Sequence, residues 1–271
     1  MTETAKDHVT TEEVRPGILR LTLAQGARMN TLTWEMLDSL LATFRSLRAD
    51  PPRALIVTGQ DRVFCGGAHL KYFVDPESGL ADNPRAARDP YVHRILEVFD
   101  TVQWLPCPTI AAINGHALGG GMELALACDF RLMSASARIG QPEVRHGLVP
   151  GGNGIQQLIR LIGREAALDM LMSGDALDGE AALARGLVSR VVAPDALAAE
   201  AETFAARFLM CGPDAVALTK RAALRAADVP LAEANRIALD AVFDAFSNPE
   251  SREGITAFVE KRKPSYYVAD E

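Results

Sequence analysis

Cysteine is scarce in this chain of 271 residues, and its four copies lie far apart. No two of them form a C-x-x-C pair, and their spacing argues against the disulfide framework of small secreted domains. Free, widely separated thiols are typical of a reducing compartment, so the predicted location is the cytoplasm. The cysteines are Cys65, Cys107, Cys128 and Cys211.

The chain also lacks a run of apolar residues long enough to span a membrane. The best candidate, residues 109–133, is interrupted by Gly, His, Glu and Asp. Positive charge is in deficit: the net charge of −7 argues against general binding to nucleic acid or to a membrane surface, since both are anionic. Residues 1–12 resemble neither a secretory signal nor a transit peptide, and we expect a disordered leader there.

Several common catalytic motifs are absent as well. The sequence contains no G-x-S-x-G, no Walker A motif, no G-x-G-x-x-G and no H-E-x-x-H. The five histidines show no metal-ligand spacing, so no metal site is predicted. What remains is a pair of glutamates, Glu123 and Glu143, each next to glycine-rich backbone.

The periodicity of apolar residues predicts an α/β protein. Residues 18–23 alternate apolar and polar, whereas residues 54–57 and 109–113 are continuous apolar runs, as in strands buried on both faces. Helical patterns lie between these strands, and Thr33 is a plausible cap for the first one. Alternation with short connections predicts a largely parallel sheet covered by helices.

Two other segments predict a loop and the division of the chain into two regions. The Pro-, Gly-, Asp- and Asn-rich stretch over residues 75–90 predicts a mobile loop. After Gly151 the pattern is mostly helical, relieved by one strand near residues 188–192. We therefore predict an α/β core over residues 13–195 and a C-terminal helical region over residues 196–271.

Two glycine-rich turns could form an anion-binding site. The three glycines Gly119–Gly121 stand where a strand is predicted to pass into a helix, and Glu123 lies on the same face as Gly120. A second turn, Gly66–Gly67, follows another buried strand. Two backbone N–H groups from separate loops can converge on one carbonyl oxygen and stabilise an enolate, and one such donor is worth roughly 100–1000-fold in rate.

At this point the sequence resembles the crotonase, or enoyl-CoA hydratase/isomerase, superfamily, over about residues 13–264. The resemblance is carried by several motifs in the same order, none of which is specific alone. They are Leu55–Gly59 with Phe64–Ala68, Asn114–Leu124, Gln141–Glu143, Gly147–Gly152, Arg185–Val188 and Phe258–Arg262.

The resemblance implies a fold and an assembly that composition does not reveal. The fold would be a spiral of ββα units with a C-terminal helical region that serves trimerisation. The protein would be a homotrimer, or a homohexamer built from two trimers.

The resemblance also implies the site. The N–H groups of Ala68 and Gly120 would form the oxyanion hole, and Glu123 and Glu143 match the two carboxylates that hold a water in hydratases. Gly151 matches a glycine whose N–H helps to position that water. The substrate-binding residues would be Gly67, Ala68, Lys71, Gly120, Gly151 and Arg28, with Phe258 and Lys261 donated by a neighbouring subunit.

The predicted function is that of an enoyl-CoA hydratase, a lyase that adds water to a 2-enoyl-CoA thioester without a metal or redox cofactor. Coenzyme A would arrive with the substrate. Two carboxylates suit this reaction, because Glu123 can activate water while Glu143 delivers a proton to the α-carbon. The alternatives are an isomerase, hydrolase or lyase of the same superfamily, and a non-catalytic or RNA-binding protein that shares the fold.

Three positions depart from the family pattern. His69 replaces a frequent Asp, Gln25-Gly26 stand in place of an Arg-Pro element, and Asn153 occupies a position where glycine is common. None of them removes a predicted catalytic group. Each could alter the choice of substrate.

Overall fold

A computed structural model describes residues 8–268 of the chain. The strands are β1 (Val9–Arg15), β2 (Ile18–Leu23), β3 (Ala54–Gly59), β4 (Val63–Cys65), β5 (Thr109–Ile113), β6 (His116–Leu118), β7 (Phe130–Ser134), β8 (Ile139–Gly140), β9 (Ala176–Leu177) and β10 (Arg190–Val192). The helices are α1 (Trp34–Ala49), α2 (Pro84–Ala86), α3 (His93–Gln103), α4 (Gly120–Ala127), α5 (Gly154–Ile162), α6 (Arg164–Ser173), α7 (Gly179–Ala184), α8 (Leu197–Ala206), α9 (Pro213–Ala226), α10 (Leu231–Ser247) and α11 (Pro249–Val259).

From β3 to β8, consecutive strands alternate between two sheets. The first sheet has the order β1-β2-β3-β5-β7-β10, and the second has the order β4-β6-β8-β9. The pairs β3-β4, β5-β6 and β7-β8 each place one strand in each sheet, and a helix follows each pair. The first sheet grows in one direction without the reversal of a doubly wound sheet. This confirms the predicted spiral of ββα units.

The central strands β3 and β5 of the first sheet are buried on both faces, as their apolar runs predict. In β3, Leu55 and Val57 point into the large core shared with α1, α3 and α4, while Ala54 and Ile56 point to the opposite face. Helix α8 covers that opposite face with Leu197, Ala201, Phe204 and Ala205. Helix α8 therefore belongs to the core, and the predicted boundary at residue 195 does not separate it from the sheet.

The predicted disordered leader is wrong for residues 9–12. These residues belong to β1, which pairs antiparallel with β2 through a turn at Gly17. Because β1 is an edge strand with mostly exposed side chains, it lacks the apolar pattern that identifies the other strands. Residues 1–7 lie outside the described part of the chain.

The predicted loop over residues 75–90 is also wrong in its second half. After a short 3₁₀ turn at Pro76–Ser78, the side chain of Asn83 caps a helix that starts at Pro84. A π-helical segment, Ala87–Val92, then runs directly into α3. Asn and Pro here mark the beginning of a helix. Pro favours the first helical position, because a backbone N–H at that position would have no acceptor within the helix.

The C-terminal helices α9 to α11 bury little of their own surface in the protomer. An ion pair between Lys220 of α9 and Asp129, with 2.7 Å between nitrogen and oxygen, joins them to the core. Large apolar side chains stay exposed on α10 and α11, among them Phe243, Phe246 and Phe258. Over residues 8–268, none of the helices combines the length and the apolarity needed to cross a membrane.

Candidate active site

The two glycine-rich turns meet at the beginning of α4. Gly119 adopts φ 54° and ψ −124°, a conformation that L side chains rarely take, and so turns β6 sharply into the helix. Gly121 packs against the end of β4, where a Cβ atom would collide with the carbonyl oxygen of Cys65. These two requirements explain the glycine run and bring the Ala68 loop against the N-terminus of α4.

The N–H groups of Ala68 and Gly120 are neighbours in this arrangement. A Cβ atom built on Gly120 would lie 3.6 Å from the nitrogen of Ala68. Across residues 8–268, neither N–H has a protein acceptor. Two adjacent unpaired donors, one of them at a helix N-terminus, can bind a single oxygen that carries negative charge. The structure thus brings together the two predicted oxyanion donors.

Glu123 lies in the first turn of α4 and is only 3% exposed. Its Oε1 accepts hydrogen bonds from the backbone N–H groups of Gly152 (2.8 Å) and Gly154 (2.9 Å), at the start of α5. Burial raises the pKa of Glu123 to about 7, against the opposing effect of the Gly154 and Gly152 hydrogen bonds. The clamp occupies one carboxylate oxygen and leaves Oε2 for other partners.

Glu143 stands on the other side of the α4 N-terminus. Its Oε1 lies 2.9 Å from the place where a Cβ atom on Gly119 would sit, so its carboxyl group faces the turn that presents the Gly120 N–H. Burial raises the pKa of Glu143 as well, and its charge contributes to the raised pKa of Glu123. Because each carboxylate disfavours ionisation of the other, the pair favours one charged and one protonated member.

A buried glutamine holds Glu143 in place. In the amide orientation that satisfies both groups, the Gln141 nitrogen donates to Glu143 Oε1 at 2.8 Å and to Oε2 at 3.0 Å. Gln141 is completely buried. A Cβ atom on Gly154 would collide with the side-chain amide of Gln141, and it would lie 2.8 Å from Glu123 Oε1. The Gln141 amide therefore lies between the two carboxyl groups.

An open cleft of about 1060 Å³ reaches Ala68, one of the two oxyanion donors. Arg28, Ala68, His69 and Lys71 all line it, which places three of the predicted substrate-binding residues on one surface. Gly67 adjoins the cleft and packs against the backbone at Leu118 and Gly120.

Other predicted binding residues lie elsewhere. Phe258 and Lys261, at the end of α11, do not line the cleft in the protomer, and Phe258 is 85% exposed. Gly151 immediately precedes the residues that clamp Glu123. A Cβ atom there would meet the side chain of Val92. The roles assigned to these three residues stay predictions.

The three departures from the family pattern have distinct surroundings. The Nδ1 of His69 lies 3.0 Å from the hydroxyl of Thr31, and burial lowers the pKa of the imidazole. Gln25 precedes a 3₁₀ turn, Gly26–Arg28, in which Gly26 packs against Asp61. Asn153 takes a left-handed conformation with φ 79°, and within residues 8–268 its buried amide has no hydrogen-bond partner.

Reasoning from the sequence missed three contributors to the site: Gln141, Gly152 and Gly154. All three lie within or beside motifs that carry the family resemblance. A polar residue two positions before a predicted catalytic glutamate is a signal that could have identified Gln141. Nothing in the local pattern indicates that the N–H groups of Gly152 and Gly154 point at Glu123.

Comparisons with known proteins find relatives over most of the chain. A family model described as enoyl-CoA hydratase/isomerase matches residues 13–268. A crotonyl-CoA hydratase of Syntrophomonas wolfei is 37% identical over 88% of this chain and 90% of its own length. The mouse mitochondrial methylglutaconyl-CoA hydratase is 36% identical over 94% of this chain and 81% of its own length.

Solved structures show the same fold. The crystal structure of an enoyl-CoA hydratase from Bacillus anthracis superposes with a TM-score of 0.88 at 33% identity, covering 96% of this chain and 99% of that one. An enoyl-CoA hydratase from Mycobacterium smegmatis superposes with the same TM-score at 29% identity, over 97% of this chain and 100% of that one.

Proposed function

Starting from the fact that this chain belongs to the enoyl-CoA hydratase/isomerase family, we propose that it is an enoyl-CoA hydratase, which adds water across the double bond of a 2-enoyl-CoA thioester. The observation that carries the proposal is the pair of carboxyl groups, Glu123 and Glu143, which lie beside the oxyanion donors and whose pKa values are raised by burial. An isomerase can move a proton between two carbons with one carboxylate, whereas orienting a water on one face of a double bond suits two.

The proposed reaction uses each group once. The thioester oxygen accepts hydrogen bonds from the N–H groups of Ala68 and Gly120. Ionised Glu123 takes a proton from water, the hydroxide oxygen bonds to the β-carbon, and the electrons of the double bond move onto the thioester as an enolate. Protonated Glu143 then gives its proton to the α-carbon, the enolate collapses, and the proton held by Glu123 returns to Glu143 through solvent.

The hydrogen bonds at the two carboxyl groups support this division of roles. Two N–H donors on Oε1 of Glu123 orient the carboxylate and favour its ionised form, while its burial makes it a stronger base than an exposed glutamate. Glu143 is more accessible than Glu123, and burial raises its pKa. A raised pKa makes Glu143 easier to protonate than an exposed glutamate, as a proton donor requires.

The cleft that contains Arg28, His69 and Lys71 suits an extended anionic substrate. We assign the coenzyme A moiety to this cleft, with Lys71 and Arg28 available to its phosphates. The proposed reaction needs no metal and no redox cofactor, since water, thioester and carboxylates supply every proton and electron pair. The acyl chain is left open, because the relatives include hydratases of both crotonyl-CoA and methylglutaconyl-CoA.

The proposal includes a homotrimer or a homohexamer. The exposed phenylalanines of α10 and α11 support it, since apolar side chains of this size favour burial against another chain. In such an assembly Phe258 and Lys261 of one subunit would complete the coenzyme A site of the next. We also place the enzyme in the cytoplasm, which agrees with its four free thiols.

Incubation with crotonyl-CoA followed by mass spectrometry tests the reaction type. A product heavier by one water supports hydration. Unchanged mass with a shifted double bond would indicate an isomerase, and release of free coenzyme A would indicate a hydrolase. Either of the last two results contradicts the proposal.

A further inference from the structure

The hydroxyl group of Tyr91 is bound to the backbone on both sides of the oxyanion loop. Tyr91 is completely buried at the end of the π-helical segment Ala87–Val92. Its hydroxyl donates to the carbonyl oxygen of Leu32 at 2.6 Å and accepts from the N–H of His69 at 2.8 Å. His69 directly follows Ala68, so this side chain touches the peptide unit next to a proposed oxyanion donor.

Leu32 holds the other side of the same loop. Its N–H donates to the carbonyl oxygen of Gly67 at 2.9 Å. In a trans peptide the C=O and N–H point in opposite directions, so this bond turns the Ala68 N–H away from Leu32 and toward the cleft. The peptide unit before Ala68 is thus held by Leu32, and the unit after it by Tyr91.

The position of the Tyr91 hydroxyl is fixed by the aromatic rings around it. Trp34, Phe73 and Tyr72 pack edge-on against the Tyr91 ring, with centroids 5.3, 5.6 and 5.7 Å away. The π-helical backbone that carries Tyr91 includes Pro90, which has no N–H to donate. Single π-helical turns are rare and are frequent at functional sites. A rigid ring cluster and an unusual backbone together set where the hydroxyl lies.

We propose that Tyr91 is a positioning residue of the oxyanion hole, which fixes the direction of the Ala68 N–H through its hydrogen bonds to Leu32 and His69. The inference rests on the proposed function, since the hole acts on a thioester oxygen. A donor displaced by a fraction of an ångström stabilises the enolate less. Removal of the hydroxyl is therefore expected to lower kcat by roughly 10- to 100-fold and to leave KM within about twofold.

The variant Y91F tests this directly, because it keeps the ring and its packing and removes only the hydroxyl. A matched control is F44L, which shortens a fully buried side chain of α1 in the same core and has no polar group to bond the oxyanion loop. F44L lowers stability without changing a hydrogen bond at the site. Hydration of crotonyl-CoA by Y91F and F44L is compared at a temperature where circular dichroism shows both folded.

A spectroscopic measurement separates positioning from a general loss of stability. Hexanoyl-CoA labelled with ¹³C at the thioester carbonyl cannot be hydrated, and hydrogen bonds to its oxygen lower the carbonyl stretching frequency. The infrared shift on binding is expected in the wild type and in F44L, and is expected to be smaller in Y91F. Wild-type kcat together with an unchanged carbonyl shift in Y91F would overturn the proposal.

A second measurement needs no variant. Residue-resolved hydrogen exchange of the wild type is expected to show strong protection of the His69 amide, and exchange at the rate of an unstructured amide would contradict the Tyr91 bond. A different result would contradict the proposed function alone. If the wild type binds hexanoyl-CoA and shifts its carbonyl band but hydrates no enoyl-CoA, it is not a hydratase. The comparison between Y91F and F44L still tests the role of Tyr91 in that case.

Discussion

The backbone N–H of Gly154 donates to the carboxylate of Glu123 at 2.9 Å, across 31 positions of sequence. This contact joins the start of α5 to the first turn of α4. It means that the orientation of Glu123 depends on a second segment of chain, together with Gly152, and not on α4 alone. The chemistry proposed for Glu123 therefore depends on how these two helices pack.

Replacement of either glutamate by glutamine is expected to abolish most hydration. E123Q removes the base that activates water, and E143Q removes the acid that protonates the α-carbon. Each loss is expected to lower kcat by roughly 100- to 10,000-fold. The absorbance of a 2-enoyl-CoA measures the rate, and E165Q, at an exposed residue of α6, is the control. Near-normal turnover by E123Q or E143Q would remove that residue from the mechanism.

The raised pKa of Glu123 predicts the pH dependence of the reaction. The proposed reaction needs one ionised and one protonated member of the pair, and the charge of Glu143 contributes to the raised pKa of Glu123. With Glu143 ionised, the pair loses its last proton as the pH rises through about 7, so kcat/KM at low substrate concentration is expected to fall above that pH. In E143Q the remaining carboxyl group only has to be ionised, so the residual activity is expected to show no such basic limb. A basic limb at the same pH in both proteins would contradict the coupling.

The same shift predicts a gain in stability when Glu123 is neutralised. Burial raises its pKa from 4.5 to about 7, so the stability that the protonated group contributes is fully present below about 4.5 and is lost as the pH rises through about 7. At pH 8, E123Q is expected to be more stable than the wild type by up to about 3 kcal/mol, with little difference at pH 4.5. Urea denaturation at fixed protein concentration measures the free energy of unfolding of both proteins at each pH.

E253Q is the control, because the pKa of Glu253 is shifted in the opposite direction from that of Glu123. The hydrogen bond from Arg262 lowers the pKa of Glu253 to about 2. The stabilisation by ionised Glu253 is present above the ordinary pKa and is lost as the pH falls through about 2, so E253Q is not expected to gain stability at pH 8. Equal gains in E123Q and E253Q would show that total charge, and not the burial of Glu123, sets the effect.

The proposed assembly predicts a defined kinetic effect for Lys261. K261A is expected to raise KM for the acyl-CoA and to leave kcat nearly intact, because the side chain would contact the coenzyme A moiety and not the reacting carbons. K263A is the matched control, since the Lys263 ammonium lies 4.2 Å from the centre of the Tyr267 ring. Light scattering gives the oligomeric state, and a monomer with normal activity would contradict the shared site.

How much the sequence predicts depends on whether a feature is local. The spacing of Gly120 and Glu123 places both on the first turn of one helix, and the structure confirms that helix. The spiral was predicted through the resemblance alone, because apolar strand patterns do not reveal which of two sheets a strand joins. The Gly154 bond to Glu123 and the Tyr91 bond to His69 were not predicted, since both depend on packing between distant segments. In residues 75–90, turn-forming residues were mistaken for a loop although Asn83 caps a helix.

Two buried asparagines with left-handed backbone, Asn153 and Asn30, offer a final matched comparison. The amide of Asn30 bonds to three backbone groups, at Gln25, Val63 and Phe64. The amide of Asn153 has no partner within residues 8–268. A buried polar group without a hydrogen bond costs about 1–3 kcal/mol, and glycine tolerates the left-handed conformation without strain.

N153G is therefore expected to raise the free energy of unfolding by about 1 kcal/mol, since it removes an unpaired amide and relieves the backbone. N30G is expected to lower it by a similar or larger amount, because it leaves the N–H of Gln25 and two carbonyl groups without their partner. Urea denaturation of both variants measures the difference. A loss of stability in N153G as large as that in N30G would show that the Asn153 amide is bound in solution, by water or by a neighbouring subunit.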